Sequence, residues 1–213
     1  MTAGTLLELI YLEFACSVGK EQLFDILKAT ALVMHPGDTR RHLQWRRRTG
    51  DASTGEAWPP KRAEAWEAGG GRIYLRSSAS VNDRASTSGT LVGILEFDRG
   101  FHLEATVNEG SSEGSRTTVC LQRLWPHHFD HIRDLFRDSL GAACDATDAP
   151  AVALRNARAA LQASQGAFAR HLIDQAMEWR RARPGEAGEE KNWVLLQELS
   201  RELRRSGPEK PDD

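Results

Sequence analysis

The sequence predicts an α+β fold: an antiparallel meander sheet of about five strands, with an N-terminal helix and a C-terminal helical segment. Three observations carry this. Leu91 to Phe97 and Phe101 to Val107 alternate apolar and polar residues on either side of Asp98-Arg99-Gly100, and Gly100 suits the left-handed position of a three-residue hairpin loop. Lys20 to Met34 places Leu23, Phe24, Ile26, Leu27, Ala29, Leu32 and Val33 on one broad apolar face of a helix. After Pro126 the period changes: Thr117 to Trp125 alternates, whereas Phe129, Ile132, Leu135, Phe136 and Leu140 recur at helical spacing.

The remaining elements follow in chain order. Leu6 to Phe14 is an apolar run whose periodicity fits either a buried strand or the first turns of a helix. Ser17 is a candidate N-cap for the first helix, which His35-Pro36-Gly37-Asp38 ends. Arg41 to Arg48 reads as a half-exposed strand, with Leu43 and Trp45 facing inward. Residues 49 to 71 are rich in Gly, Pro, Ala and Glu and read as a long connection, with a short helix expected around Lys61 to Glu67. A short strand, Arg72 to Arg76, precedes a polar stretch from Ser77 to Gly89. Gly141 stops the helix after Pro126. Pro150 opens a longer helix that runs toward Arg181, with Gly166 as a point where it can break. Asn192 to Arg205 forms a final helix, and 206–213 reads as a disordered tail. The expected organisation is an α+β sheet domain over 1–145 and a C-terminal helical hairpin over 146–205 packed on it.

Composition narrows the function classes. The chain has 213 residues, 40% hydrophobic and 27% charged, in the range of a folded globular protein. A formal net charge of -2 gives no global field toward nucleic acid or an anionic membrane. Cys16, Cys120 and Cys144 are widely spaced, which is neither a disulfide framework nor a metal knuckle, and they read as free thiols in a reducing cytoplasm. The N-terminal run lacks a basic start and is interrupted by Glu8 and Glu13, so no signal peptide is expected, and no apolar stretch has the length of a membrane span. Abundant Arg and Ala suggest a GC-rich bacterial genome. No phosphate-binding loop, nucleophile elbow or cofactor motif is present, and no cofactor is expected.

Three groups of residues stand out as candidate sites. Arg40, Arg41, Arg46, Arg47 and Arg48 surround Trp45, a composition suited to pairing phosphates and stacking a base. On a strand the same residues make a solvated face with Trp45 in the core. His127 and His131, four apart in a stretch with His128, Asp130 and Asp134, have a spacing that can ligate zinc from one helical face. Histidines and aspartates at a helix start also serve as caps and surface groups. Phe168, Trp179 and Trp193 lie on the last helices, where aromatic side chains are common anchors of protein interfaces. Glu96 and Glu104, either side of the hairpin, fit a solvated sheet face.

The reading that asks least of the sequence is a non-catalytic cytoplasmic protein-interaction module: an adaptor, chaperone or inhibitor of a partner protein, or a homodimer. Its order of helix, antiparallel meander and helix is similar to small secretion-chaperone-like and immunity-protein-like folds, which bind another protein; topology alone does not fix function. The alternatives are a nucleic-acid-binding protein using 40–48 and a metal-dependent enzyme using 127–131.

Overall fold

A computed structural model describes residues 5–34, 43–48, 63–79, 89–98, 100–111, 114–186 and 190–205. In chain order the elements are β1 (Ile10–Phe14), α1 (Lys20–Met34), β2 (Arg46–Arg48), β3 (Ala63–Ala68), β4 (Gly71–Ala79), β5 (Gly89–Phe97), β6 (His102–Ser111), β7 (Gly114–Gln122), α2 (Phe129–Leu140), α3 (Pro150–Gln162), α4 (Gly166–Ala182) and α5 (Glu190–Arg205). The seven strands form one antiparallel sheet in the order β1-β7-β6-β5-β4-β3-β2. Strands β2 to β7 are a meander in which each pairs with the next, and β1 joins beyond β7.

Period-two alternation gives the sheet one apolar face. Ile10, Leu12 and Phe14 stand beside Val119 and Leu121, then Leu103, Ala105 and Val107, then Leu91 and Leu95, then Ile73 and Leu75, all buried. Helices α1 and α2 cover this face with Leu23, Ile26, Leu27, Phe129, Ile132 and Phe136. Each such side chain contributes about 1.5–3 kcal/mol when fully buried. Phe14 and Phe136 stack at 5.7 Å. Helix α1 comes so close that a Cβ on Gly93 would lie 2.7 Å from Leu23 Cδ2, so the sheet needs glycine there.

The strand count exceeds the expected five, and β3 is the clearest correction. Ala63–Ala68 is a strand, not the short helix that its Ala and Glu content suggests. Gly69 and Gly70 have φ of 56° and 81°, making a tight turn that returns the chain as β4, with Ala68 opposite Gly71. Such two-residue turns with both φ positive match strand twist. Trp66 then lies against Phe24 of α1, with ring centroids 4.3 Å apart. Packing overrides helix propensity here. Among the described residues of the expected strand over 41–48 only Arg46–Arg48 is strand, and the polar Ser77 and Ser78 extend β4.

The open N-terminal choice resolves as a strand, and the reason lies far along the chain. One edge of β1 pairs with β7. The other is satisfied by side chains and an irregular segment: Asn156 Oδ1 accepts from Tyr11 N–H at 2.9 Å while its Nδ2 donates to Tyr11 O at 2.7 Å. Thr147 Oγ1 accepts from Glu13 N–H. Ala15 N–H donates to Cys144 O at 2.7 Å, and Ala146 N–H to Glu13 O at 2.8 Å. The edge therefore carries its full set of backbone bonds without another strand.

The C-terminal part holds three helices rather than a hairpin. The expected long helix breaks at Ala163–Gln165, where Ser164 takes φ 57°. Ala160, Ala163, Ala169 and Leu172 join the main core, and Ala153, Leu154, Ala157, Ile173, Ala176, Trp193 and Leu196 make a second one. A buried polar clamp ties α2 to the α2–α3 connection and to α4. Arg133 of α2 donates Nε to Asp145 at 2.7 Å, Nη2 and Nη1 to the two oxygens of Asp148 at 2.6 and 3.1 Å, and Nη1 also to Gln175 of α4 at 3.3 Å. Burial opposes the guanidinium charge, but the two aspartates outweigh it and push the Arg133 pKa up. Burial raises the Asp148 carboxyl against the pull of Arg133. The two-point geometry is that of a charge-assisted pair.

Candidate functional site

In a meander the turns at one end of the sheet are neighbours. The β3–β4 turn, the β5–β6 turn and the exit of β7 therefore meet, and the last turn of α1 arrives at the same end. They enclose a cleft of about 570 Å³ lined by Leu6, Met34, Gly69, Gly70, Phe97, Asp98, Phe101, Arg123, Trp125, His127 and His128. Its walls are largely aromatic and aliphatic. Phe97 and Phe101 lie 6.3 Å apart across the hairpin loop, and Trp125 keeps 38% of its surface exposed.

The polar groups of the cleft are held by unusual backbone. Gly100 has φ 92°, as its place in the loop requires, and Phe97 closes the loop by donating N–H to Phe101 O at 3.0 Å. A Cβ on Gly100 would lie 2.7 Å from Arg123 Nη1, so the Arg123 guanidinium rests directly over this glycine. Arg123 itself has φ 55°, left-handed for a residue with a side chain. Such conformations cost of order 1 kcal/mol and persist where the surrounding structure enforces them. Asp98 also faces Arg72, with Oδ1 3.2 Å from Nη2.

The histidines complete the rim. Pro126–His128 is a single 3-10 turn ahead of α2, and it brings the rings of His127 and His128 together, tilted by 56° with centroids 4.1 Å apart. His128 Nδ1 is buried and has no hydrogen-bond partner among the described residues. Burial first, and then the neighbouring His127 and His131, lower its pKa below the ordinary histidine value. Near neutral pH the ring is an uncharged imidazole able to bond a ligand.

Comparison with protein-family models, curated proteins and solved structures finds no match. The chain's own geometry therefore carries the functional argument. Among the described residues no group of three or more His, Cys, Asp or Glu side chains is placed to hold a metal ion, and no helix is long and apolar enough to cross a membrane.

The residues singled out by sequence fall in three different settings. Arg40 and Arg41 lie outside the described residues. Trp45 is half-buried against the main core, so its ring is not presented for stacking. Arg46 and Arg48 share a sheet face with Arg72 and Arg76, but Glu67 of β3 lies between the two groups and Glu96 of β5 flanks Arg72 on the other side. Arg48 pairs with Glu67 at 2.8 Å and Arg72 with Glu96 at 3.5 Å, and Tyr74 donates to the same Glu96 at 2.6 Å. Among the described residues the outcome is a mixed-charge ladder, not a continuous positive surface.

His127 and His131 do not share one α-helical face, because the helix begins only at Phe129. His127 turns toward the cleft, and the partner of this histidine group is instead His171 of α4, 3.2 Å from Asp130. Trp193 is fully buried in the second core, and Arg180 lies over its ring at 4.8 Å. It is therefore a packing residue of the isolated chain and not an exposed anchor. Phe168 packs edge-on against Phe129 at 5.5 Å, and Arg183 lies over half-buried Trp179 at 5.1 Å. Sequence reasoning missed Phe101, Arg123 and Trp125 as site residues. The aromatic pair was legible only as core, and nothing local marks Arg123 as left-handed.

Proposed function

We propose that the protein works by binding rather than by chemistry, and that the cleft at the hairpin end of the sheet receives a small apolar ligand bearing one acidic group. The observation that supports this is the pairing of aromatic walls with a guanidinium held over Gly100 by strained backbone. The volume lies within the range of small-molecule pockets, which combine apolar lining with a few placed polar groups. Arg123 would pair the acid, and His128 Nδ1 would bond a second polar atom. Among the described residues no carboxylate bonds His128 Nδ1, which leaves this nitrogen available to a ligand.

The test uses anilinonaphthalene sulfonate, an apolar anion, titrated into the full chain and followed by its own emission. Arg123→Ala is expected to weaken binding about tenfold, the size of one charge-assisted hydrogen bond, and Trp125→Ala to weaken it as well. Equal binding by wild type and both variants would place the dye elsewhere and refute the reading.

Trp125 favours a second reading. A partly exposed tryptophan on the rim of an apolar cleft is a typical anchor for a partner protein. On that reading the chain is a protein-interaction module, an adaptor, chaperone or inhibitor, or one half of a homodimer, and the cleft holds a partner side chain. Size-exclusion chromatography with light scattering then shows a complex or dimer that Trp125→Ala dissolves.

A further inference from the structure

Two of the three cysteines meet at the joint between the sheet and the C-terminal helices. The last residue of β1, Phe14, forms an antiparallel bridge with Asp145. Ala15 N–H donates to Cys144 O, and Ala146 N–H to Glu13 O, so the chain on either side of Cys144 runs alongside the exit of β1. Cys16 and Cys144 are both free, half-buried and packed against the same core, and Cys16 Sγ lies 4.0 Å from Leu140 O. The third, Cys120, stands in β7 opposite Tyr11 and Glu104, on the other face of the sheet from the core. Cys144 closes a 3-10 turn, and Gly141, Ala142 and Ala143 before it are exposed, which leaves a path for a small reagent.

We propose that Cys16 and Cys144 form a dithiol site that exchanges with a low-molecular-weight disulfide and closes into an intramolecular disulfide, stapling β1 to the connection between α2 and α3. Burial, together with the contact to Cys144, pushes the Cys16 thiol up to about 12. Cys16 thus stays protonated, and attack falls to Cys144. In the first step the Cys144 thiolate attacks one sulfur of the external disulfide, forming a mixed disulfide and releasing one thiolate. In the second, Cys16 gives up its proton, attacks Cys144 Sγ and expels the second thiolate. The protein dithiol loses two electrons and the external disulfide gains them, leaving two small thiols. The staple would fasten the segment whose backbone completes the edge of β1 and whose Asp145 and Asp148 hold Arg133.

The experiment incubates the full chain with excess oxidised glutathione and reads intact mass and a peptide map. The expected result is loss of the mass of two hydrogens, no retained glutathione, and a peptide joining Cys16 to Cys144. Cys16→Ser is expected to stop at a glutathione adduct on Cys144, and Cys144→Ser to leave Cys16 unmodified. Oxidised wild type should melt higher by on the order of 10 °C, as closing a long loop implies. A glutathione adduct retained on wild type, a cross-link through Cys120, or no change of mass would each overturn the proposal. The mass of wild type decides the matter even if a serine variant folds poorly, and it is independent of what the cleft binds.

Discussion

The joint between β1 and the helices and the cleft at the hairpin end are built on opposite terms. At the joint most polar groups are matched in pairs, although Arg137 Nε, 3.3 Å from Asp145, is buried without a hydrogen bond among the described residues. Asn156 satisfies both backbone groups of Tyr11, Thr147 serves Glu13, and Arg133 meets Asp145, Asp148 and Gln175. At the cleft, His128 Nδ1 is buried without a partner among the described residues, Arg123 sits in a left-handed conformation, and Trp125 stays partly exposed. The joint uses buried polar groups, whereas the cleft sets a half-buried histidine beside an exposed arginine. The difference separates a region organised for stability from one that carries local costs. Such costs concentrate where a protein binds something.

The comparison can be broken at the joint first. Arg133→Met leaves Asp148 buried without its paired charge and Asp145 with Arg137 alone, 3.3 Å away, and about 3–5 kcal/mol of stability should disappear in urea unfolding. A loss below about 1 kcal/mol would mean that the clamp is solvated and the contrast is false. Asn156→Leu removes both bonds to Tyr11 and strands its N–H and C=O at the strand edge. The expected cost is about 1–3 kcal/mol, with hydrogen exchange at Tyr11 accelerating before that of the central strands. Gly93→Ala forces α1 away from the sheet at Leu23 and should cost about 1–3 kcal/mol, a control showing what simple overpacking does far from either region.

The smallest effect concerns pH. The folded pKa of His128 lies below its unfolded value, so between the two the unfolded chain binds more protons, and stability there rises with pH. Above the ordinary histidine value the ring is neutral in both states and contributes nothing. As pH falls through that value toward the folded pKa, the native state loses ground. His128→Phe should flatten this acid-side decline relative to wild type. A parallel decline in both proteins would show that the half-buried ring is not its source.

How much of this was legible depended on range in sequence. The β5–β6 hairpin could be read from Asp98-Arg99-Gly100 because a three-residue loop writes its glycine into the local sequence, and Gly100 does take positive φ. Helices α1 and α2 were legible from period alone. Strand β3 was not, because Ala and Glu favour helix and only the packing of Trp66 on Phe24, with the Gly69-Gly70 turn, selects a strand. The fate of Leu6 to Phe14 depends on Asn156, which no local pattern connects to Tyr11. The cleft is the extreme case. His127 was visible, but for a metal; Phe101 and Trp125 were visible, but as alternating core residues. Their convergence is a property of meander order, and the strain at Arg123 comes from the approach to Gly100.

The central claim is that the strain at Arg123 serves binding, and Arg123→Gly tests it most directly. Glycine accepts φ 55° without cost and cannot pair an anion. Urea unfolding and anilinonaphthalene sulfonate titration on the same preparations should find a variant at least as stable as wild type, by up to about 1 kcal/mol, that binds about tenfold more weakly. A variant that is less stable and binds with unchanged affinity would show Arg123 to be a structural residue, and the cleft would lose its claim as the site.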